Sequence, residues 1–450
     1  MISKDELQAL LRESLKRSPA DETELVGYCN STSLTRFAKS SIHQNVHEDN
    51  SNVFARVAVG KRIGVASTNR LTPEAIAATL EKATAFAKQS PEVADFPGLP
   101  AADPAPEVEA YSNATASMTP DLRADAVSRA AAIAKTAGVT VSGAYRAGRL
   151  SMAVANTRGT EQHYEATDAY LSVFAMDDDG ISGSAADYAV DIGNIDPEAL
   201  ARTAVDKCKA AADPIAVDAG NYDVILEPRA TGEIMEWLNF TAFGAKAVQE
   251  GMSFMADRIG DKVMGDLITI YDDGADPEGV PIPFDFEGVP KRKVVMVENG
   301  VARGPVYDTL TAAKDGVEST GHGGLSVFRG GPGCSNMFIA AGESEFDDLL
   351  AAVDHGLLVT RFHYINGLLD TKKALFTGMT RDGTFLIENG KVTNAVKNLR
   401  FNDSMLRAYS NVEAVTKKRG VAGRNWGGIG SITAPSVLIR DFRFTGTTEF

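Results

Sequence analysis

The chain has 450 residues, 44% hydrophobic and 23% charged, which is enough for two or three domains around separate cores. Sixty acidic against 45 basic side chains leave a formal charge of −15, which repels a nucleic-acid backbone on average and disfavours direct nucleic-acid contact. Three scattered cysteines form no CxxC pair, and no apolar run approaches the ~18 residues of a membrane span. A disulfide framework, a cysteine-rich metal site and a membrane anchor are therefore disfavoured, and a cytoplasmic location is expected.

The first residues place Leu7, Leu10, Leu11 and Leu15 on one helical face, behind Ser3 and Glu6 at capping-box spacing. Val53, Ala55, Val57 and Val59 alternate up to a turn at Gly60-Lys61, and Ile63 and Val65 follow, so a strand–turn–strand is expected. Thr72-Pro73-Glu74 then opens a helix with Ile76, Leu80, Ala83 and Ala87 at helical period. Residues 1–90 thus read as an α+β subdomain. Six of the 18 prolines fall in 91–120, a connector that is either packed in extended form or flexible. A second α+β subdomain is expected over 121–215. It has a helix over about 121–137, hairpins around Ala147-Gly148 and Asp177-Asp178-Asp179-Gly180, and a helix from Pro197 carrying Leu200, Val205 and Cys208. The order helix–strands–helix therefore occurs twice.

Residues 216–450 read as a mainly-β domain. Residues 222–226 form a short apolar strand, 229–250 a helix, and 345–353 a further helix. Asn299-Gly300 and Asn389-Gly390 sit between apolar runs and predict tight hairpins, because both central turn positions need positive φ. The expected fold class is α+β: an N-terminal α/β region with helices on antiparallel sheets, then a mainly-β C-terminal domain.

Candidate chemistry is sparse. A zinc helix sets two histidines a turn apart, but His43 and His47 lie in a strand-like stretch, where four residues span about 13 Å and cannot share one ion. His355 and His363 flank a segment expected to run from a helix end into a strand, as structural side chains. The acidic turn at 177–180 lacks the twelve-residue ligand spacing of a calcium loop, and no serine lies in a G-x-S-x-G elbow. The glycine-rich stretch 321–333 fits no phosphate-loop pattern. Its residues Gly321, His322, Gly323, Gly324, Phe328 and Arg329 are expected to form a peptide- or partner-contacting loop, through exposed backbone and an aromatic/arginine pair.

An ordered set of short motifs in the C-terminal half resembles the TldD/PmbA family, once called modulators of DNA gyrase. The set comprises Pro283-Phe284-Asp285-Phe286-Glu287-Gly288-Val289, Val297-Glu298-Asn299-Gly300-Val301, Ser319-Thr320-Gly321-His322-Gly323-Gly324, Ser335-Asn336, Gly356-Leu357-Leu358-Val359-Thr360, Gly367 and Leu386-Ile387-Glu388-Asn389-Gly390-Lys391. The resemblance implies a two-subunit zinc peptidase in which one kind of member carries H-E-x-x-x-H on a helix and a cysteine near its C-terminus. The corresponding helix here, 229–238, has no histidine, though it carries Glu233 and Glu236, and the C-terminal segment has no cysteine. The resemblance therefore implies no catalytic residue, no metal and no cofactor of this chain's own. It points to a non-catalytic PmbA/TldE-like subunit that acts on unfolded peptides, beside a zinc-bearing TldD-like partner or as a homodimer. A self-sufficient peptidase using His322 and Cys334, or a regulator of DNA gyrase and topology, are the alternatives.

Overall fold

Side chains alternate along the long strands of the N-terminal half, and this alternation builds a sheet with two different faces. The computed structural model describes residues 2–325, 331–423 and 430–448. Strands β1 (Glu22–Ala38), β2 (Ser41–Val59), β3 (Arg62–Thr68), β4 (Thr140–Asn156), β5 (Glu161–Met176) and β6 (Ser182–Ala189) form one antiparallel sheet in the order β3-β2-β1-β4-β5-β6. The second βββ unit thus repeats the first across the β1/β4 seam. Helices α1 (Lys4–Leu15) and α2 (Pro73–Gln89) pack on Leu25, Cys29, Val53 and Ala55. After the one-turn α3 (Asn113–Ala116), α4 (Pro120–Thr136) and α5 (Pro197–Ala210) pack on Phe37, Val141, Leu171 and Val173. The capping box of α1 is formed between Ser3 and Glu6, and Thr72, Thr119 and Asp196 each cap a helix with proline in its first turn.

The hairpin expected at Ala147-Gly148 is absent. Both residues lie inside β4, and the chain turns at 157–160 instead. Gly148 is needed for close approach, since a Cβ there would meet Asp168 Oδ1 at 2.2 Å. The proline-rich segment is packed in extended form: Asn156 Nδ2 donates to the Pro100 carbonyl, Thr167 N–H to Ala110, and Ser112 N–H to Thr167 Oγ1.

The C-terminal half is built on β7 (Gly220–Leu226), β8 (Ile270–Asp272), β9 (Val294–Glu298), β10 (Val301–Ala302), β11 (Asn336–Ile339), β12 (His355–Val359), β13 (Phe362–Asp370), β14 (Leu375–Thr380), β15 (Thr384–Glu388), β16 (Lys391–Ala395), β17 (Leu399–Ser404), β18 (Val412–Gly423) and β19 (Ser431–Thr447). These strands share one mixed sheet, with β19 in its middle beside β7, β11, β17 and β18. Both Asn-Gly pairs are tight turns with positive φ, joining β9 to β10 and β15 to β16. The long helix expected over 229–250 is two: α6 (Pro228–Thr241) and α7 (Ala245–Gln249), interrupted before Gly244, whose Cβ position lies 2.3 Å from the Pro332 carbonyl oxygen. The stretch 355–363 belongs to β12 and β13 rather than to a helix end, and α9 stops at Ala351; α8 (Thr309–Asp315), α9 (Phe346–Ala351) and α10 (Met405–Ser410) are the other short helices.

The second face of the first sheet packs on Ile282 and Phe284 of the C-terminal half. Polar groups fix that junction. Arg56 of β2 donates to Glu24 Oε2 at 2.8 Å and to Glu287 Oε1 at 2.6 Å, with all three side chains almost buried. Asp285 accepts the N–H groups of Glu287, Val289 and Gly323, and Gly288 has φ 75°. The motif 283–289 is thus a turn shaped to present Glu287 to Arg56.

Candidate functional site

Helix α6 begins with Pro228 at N1 and buries Ile234, Met235 and Leu238 completely against the sheet, each worth roughly 1.5–3 kcal/mol. Arg229, Glu233 and Glu236 remain on another face, and two cavities meet there. The first, about 260 Å³, lies between α6 and the first sheet and is bounded by Tyr170, Asp187, Lys207 and the 420–423 end of β18. The second, about 210 Å³, is bounded by Trp237, Arg361, His363 and Tyr364. Arg229, Glu233 and Glu236 line both, so the two make one groove along the helix.

Glu233 organises this groove. Its Oε1 lies 3.4 Å from Arg229 Nε and 3.8 Å from Arg361 Nε, and its Oε2 accepts the Phe362 N–H at 2.7 Å. Arg361 also holds Asp382 at 2.9 Å, and both guanidiniums stand over the Phe174 ring at 5.8 and 5.5 Å. Burial raises the Glu233 carboxyl above its ordinary value, against the pull of Arg229 and Arg361. Burial likewise raises Asp187. Arg229 Nη1 is buried without a hydrogen-bond partner among the described residues.

Zinc does not fit these residues. It takes about four nitrogen, sulfur or oxygen ligands in tetrahedral array. Helix α6 has no histidine, the Glu233 carboxylate already faces two guanidiniums that repel a divalent cation, and among the described residues no three His, Cys, Asp or Glu side chains form a metal-holding group.

The glycine-rich loop is placed differently from its expected role. Gly321, His322 and Gly323 are buried and Gly324 half-buried, while Phe328 and Arg329 lie outside the described residues. The backbone expected to be exposed is engaged: His322 N–H donates to the Tyr307 carbonyl and Gly323 N–H to Asp285 Oδ2. His322 Nε2 lies 2.9 Å from Asp272 Oδ1, and Nδ1 meets Thr320 Oγ1 at 2.9 Å. Asp272 also pairs with Lys291 at 3.3 Å and accepts the N–H groups of Ser335 and Asn336. Burial pushes Asp272 upward, but Lys291, His322 and the Ser335 N–H outweigh it and hold the carboxyl well below its usual range. Burial, then Lys291, lowers His322, which favours the neutral ring with Nε2–H donating to Asp272. Cys334 is also buried, its backbone clamped by Asn239. His43 and His47 are exposed on β2, and Asp177 closes its own turn by accepting from Asp179 and Ile181.

Sequence reasoning reached Glu233 and Glu236 but missed Arg229, Arg361, Tyr170 and the 420–423 segment. The available signal was Arg361 itself, a charge set between two apolar strands. Nothing local announces that Tyr170 and β18, 250 residues apart in sequence, face the same helix.

The chain matches three family domains: PmbA/TldA metallopeptidase domain 1 over residues 28–87, the central domain over 109–211 and the C-terminal domain over 219–446. A metalloprotease TldD homolog of Buchnera aphidicola is 29% identical over 209 residues, 44% of this chain and 43% of that protein. For this and the Haemophilus influenzae homolog, the chain spans about half of the relative's length. Metalloprotease PmbA of Escherichia coli O157:H7 is 26% identical over 403 residues, covering 86% of this chain and 83% of the relative. In fold, the chain is similar to TldE from Thermococcus kodakarensis, with TM-score 0.88 at 22% identity over 98% of this chain and 100% of that one.

Proposed function

Because the chain belongs to the PmbA/TldD metallopeptidase family, we propose that it is a non-catalytic, PmbA/TldE-like subunit of a zinc-peptidase assembly, with unfolded peptides as substrates. The observation that carries the reading is the Glu233 cluster: the helix that corresponds to the family's zinc helix has no histidine, and its Glu233 is held between Arg229 and Arg361. The groove beside it supports peptide engagement. The 420–423 segment lines the groove; the outer edge of β18 is bridged by residues 342–344 around Thr416, but among the described residues its 420–423 end has no second strand beside it and is open to an extended chain.

A partner would supply the metal chemistry, either a zinc-bearing TldD-like relative or, in a homodimer, a second copy completing a closed chamber. Phe240, Tyr364, Leu368 and Leu369 are large apolar side chains left exposed on α6 and β13, in keeping with a docking face. The glycine-rich loop would contact peptide or partner only beyond Gly323. No helix among the described residues is long and apolar enough to cross a membrane, consistent with action in the cytoplasm. Neither alternative gains support: His322 and Cys334 are each 1% exposed, and a formal charge of −15 opposes DNA contact.

The test is zinc content, mass and hydrolysis of an unfolded peptide, for the purified chain alone and mixed with a zinc-bearing relative. The chain alone should hold no stoichiometric zinc and cleave nothing, while the mixture should cleave faster than the relative alone. About one zinc per chain retained through mild chelation, cleavage by the chain alone, or a mass fixed near 47.8 kDa whatever is added would overturn the proposal.

A further inference from the structure

On the helix-bearing face of the first sheet, β1 packs Leu25 and Cys29 into one core and Phe37 into the next. Between them the same face carries Ser31, Ser33 and Thr35, because successive inward positions on a strand fall every second residue. Thr35 is buried beneath Arg123 of α4, but Ser31 and Ser33 are only half-buried, and a cleft of about 490 Å³ opens over them. Ser31, Ser33, Asn45, His47, Arg123 and Arg149 supply its polar wall, and no Asp or Glu among the described residues lines it.

Arg123 is 1% exposed. Its Nε donates to Thr35 Oγ1 at 2.9 Å, Nη1 to the Met118 carbonyl at 3.2 Å and Nη2 to Asn45 Oδ1 at 3.1 Å. Every one of these acceptors is neutral, and among the described residues no carboxylate pairs with the guanidinium. An arginine cannot shed its proton to escape burial, so the charge is permanent and uncompensated. Three hydrogen bonds also fix its orientation. Arg149 lines the cleft from β4, where it pairs in register with Ser31 of β1. One of its terminal nitrogens meets Glu165 at 3.1 Å, but its Nε is buried with no acceptor among the described residues. The N-terminus of the 17-residue α4, at Thr119 and Pro120, opens on the same cleft and adds the positive end of its dipole. The acids beside the cleft are already engaged, Glu165 by Arg149 and Asp49 by His47.

We propose that this cleft binds a small organic molecule through an oxyanion, phosphate or carboxylate, seated between Arg123 and Arg149. The volume is far more than a bare ion needs and lies within the roughly 300–1,000 Å³ of small-molecule sites. A forked, pre-oriented guanidinium matches the paired oxygens of either group. The competing reading is that Arg123 only stitches α4 to β1 and β2.

Calorimetric titration of the full chain with inorganic phosphate and, separately, citrate at matched ionic strength separates these readings. At least one anion should bind saturably, and Arg149→Gln should weaken it by about tenfold or more. The control Arg12→Gln, an exposed arginine on α1, should bind as the parent does. Binding of phosphate alone assigns a phosphorylated ligand, citrate alone a carboxylate, and both an oxyanion of either kind. Arg123→Gln should abolish binding; should it fail to fold, Arg149→Gln decides. No saturable binding of either anion, or equal weakening by Arg149→Gln and Arg12→Gln, would overturn the proposal.

Discussion

Two charge clusters in the C-terminal half use similar groups to opposite ends. Around Asp272, one carboxylate meets a lysine, a histidine and two backbone N–H groups, and the side chains of Asp272 and His322 have no exposure at all. Around Glu233, one carboxylate meets two arginines and one N–H group, but cavities open beside it and a guanidinium nitrogen lacks a partner among the described residues. The first cluster is satisfied and sealed, so it fixes the glycine-rich loop to β8 and β11. The second is incompletely satisfied and reachable, so it can do something to a ligand. In the sequence, His322 in its glycine-rich loop was a candidate contact residue, whereas Glu233 was noted only on a helix without histidine. Access and unsatisfied polar atoms reverse that order.

The comparison is tested most severely at Asp272. Asp272→Asn keeps the shape but leaves Lys291 a buried, unpaired cation, and its expected cost is about 3–5 kcal/mol in denaturant unfolding. A cost below about 1 kcal/mol would mean the cluster does not hold the loop.

The domain junction offers an intermediate case, because Arg56 must serve two buried carboxylates with one charge. Burial raises Glu24 from its ordinary 4.5 to about 7, with Arg56 opposing and Glu287 reinforcing. The folded chain therefore holds this proton more tightly than the unfolded chain does. The stability it contributes is fully present below about 4.5 and is lost as pH rises through about 7, a swing of roughly 3 kcal/mol. Glu287 has the opposite sign: burial raises it, but Arg56 and Thr309 outweigh that, so its contribution is present above the ordinary range and lost in acid. Glu24→Gln mimics the protonated form. Its unfolding midpoint relative to the parent should climb between about pH 5 and 8 and then level off. A difference that stays flat across that range would remove the excess carboxylate from the account.

Much of the fold was legible because its signals are local. Asn299-Gly300 and Asn389-Gly390 declare their turns, and Ser3, Thr72 and Pro197 declare helix starts. The false hairpin at Ala147-Gly148 shows the limit. Glycine marks turns, but here it admits the Asp168 carboxylate from the next strand, a contact invisible without the pairing of β4 and β5. The family motifs were legible for a related reason. Asp285, Glu287, Ser335 and Asn336 tie turns and domains together, so they report the architecture rather than the chemistry. The groove was only half legible, since its helix is one segment while its walls come from β5, β6, β13 and β18. The Arg123 cleft was not legible at all. Its arginine sits in an alanine-rich helix as an ordinary surface charge would, and only the tertiary fold buries it.

The smallest expected effect on stability belongs to Glu233, and it bears most directly on function. In Glu233→Gln the side chain keeps its length and can still accept the Phe362 N–H. Arg361 keeps Asp382, and both arginines keep the Phe174 ring. Cavities open beside the cluster and Arg361 keeps a carboxylate, so the cost should be about 1–2 kcal/mol, below that of Asp272→Asn. The groove itself would become more positive, with Arg229 and Arg361 no longer sharing a carboxylate. A peptide carrying acidic residues should then bind more tightly and a basic one more weakly, as read by fluorescence anisotropy of labelled unfolded peptides at low salt. A stability cost as large as that of Asp272→Asn, with no change in the preference between acidic and basic peptides, would make the two clusters alike. The groove would then be as structural as the sealed knot, and the peptide-binding proposal would lose its ground.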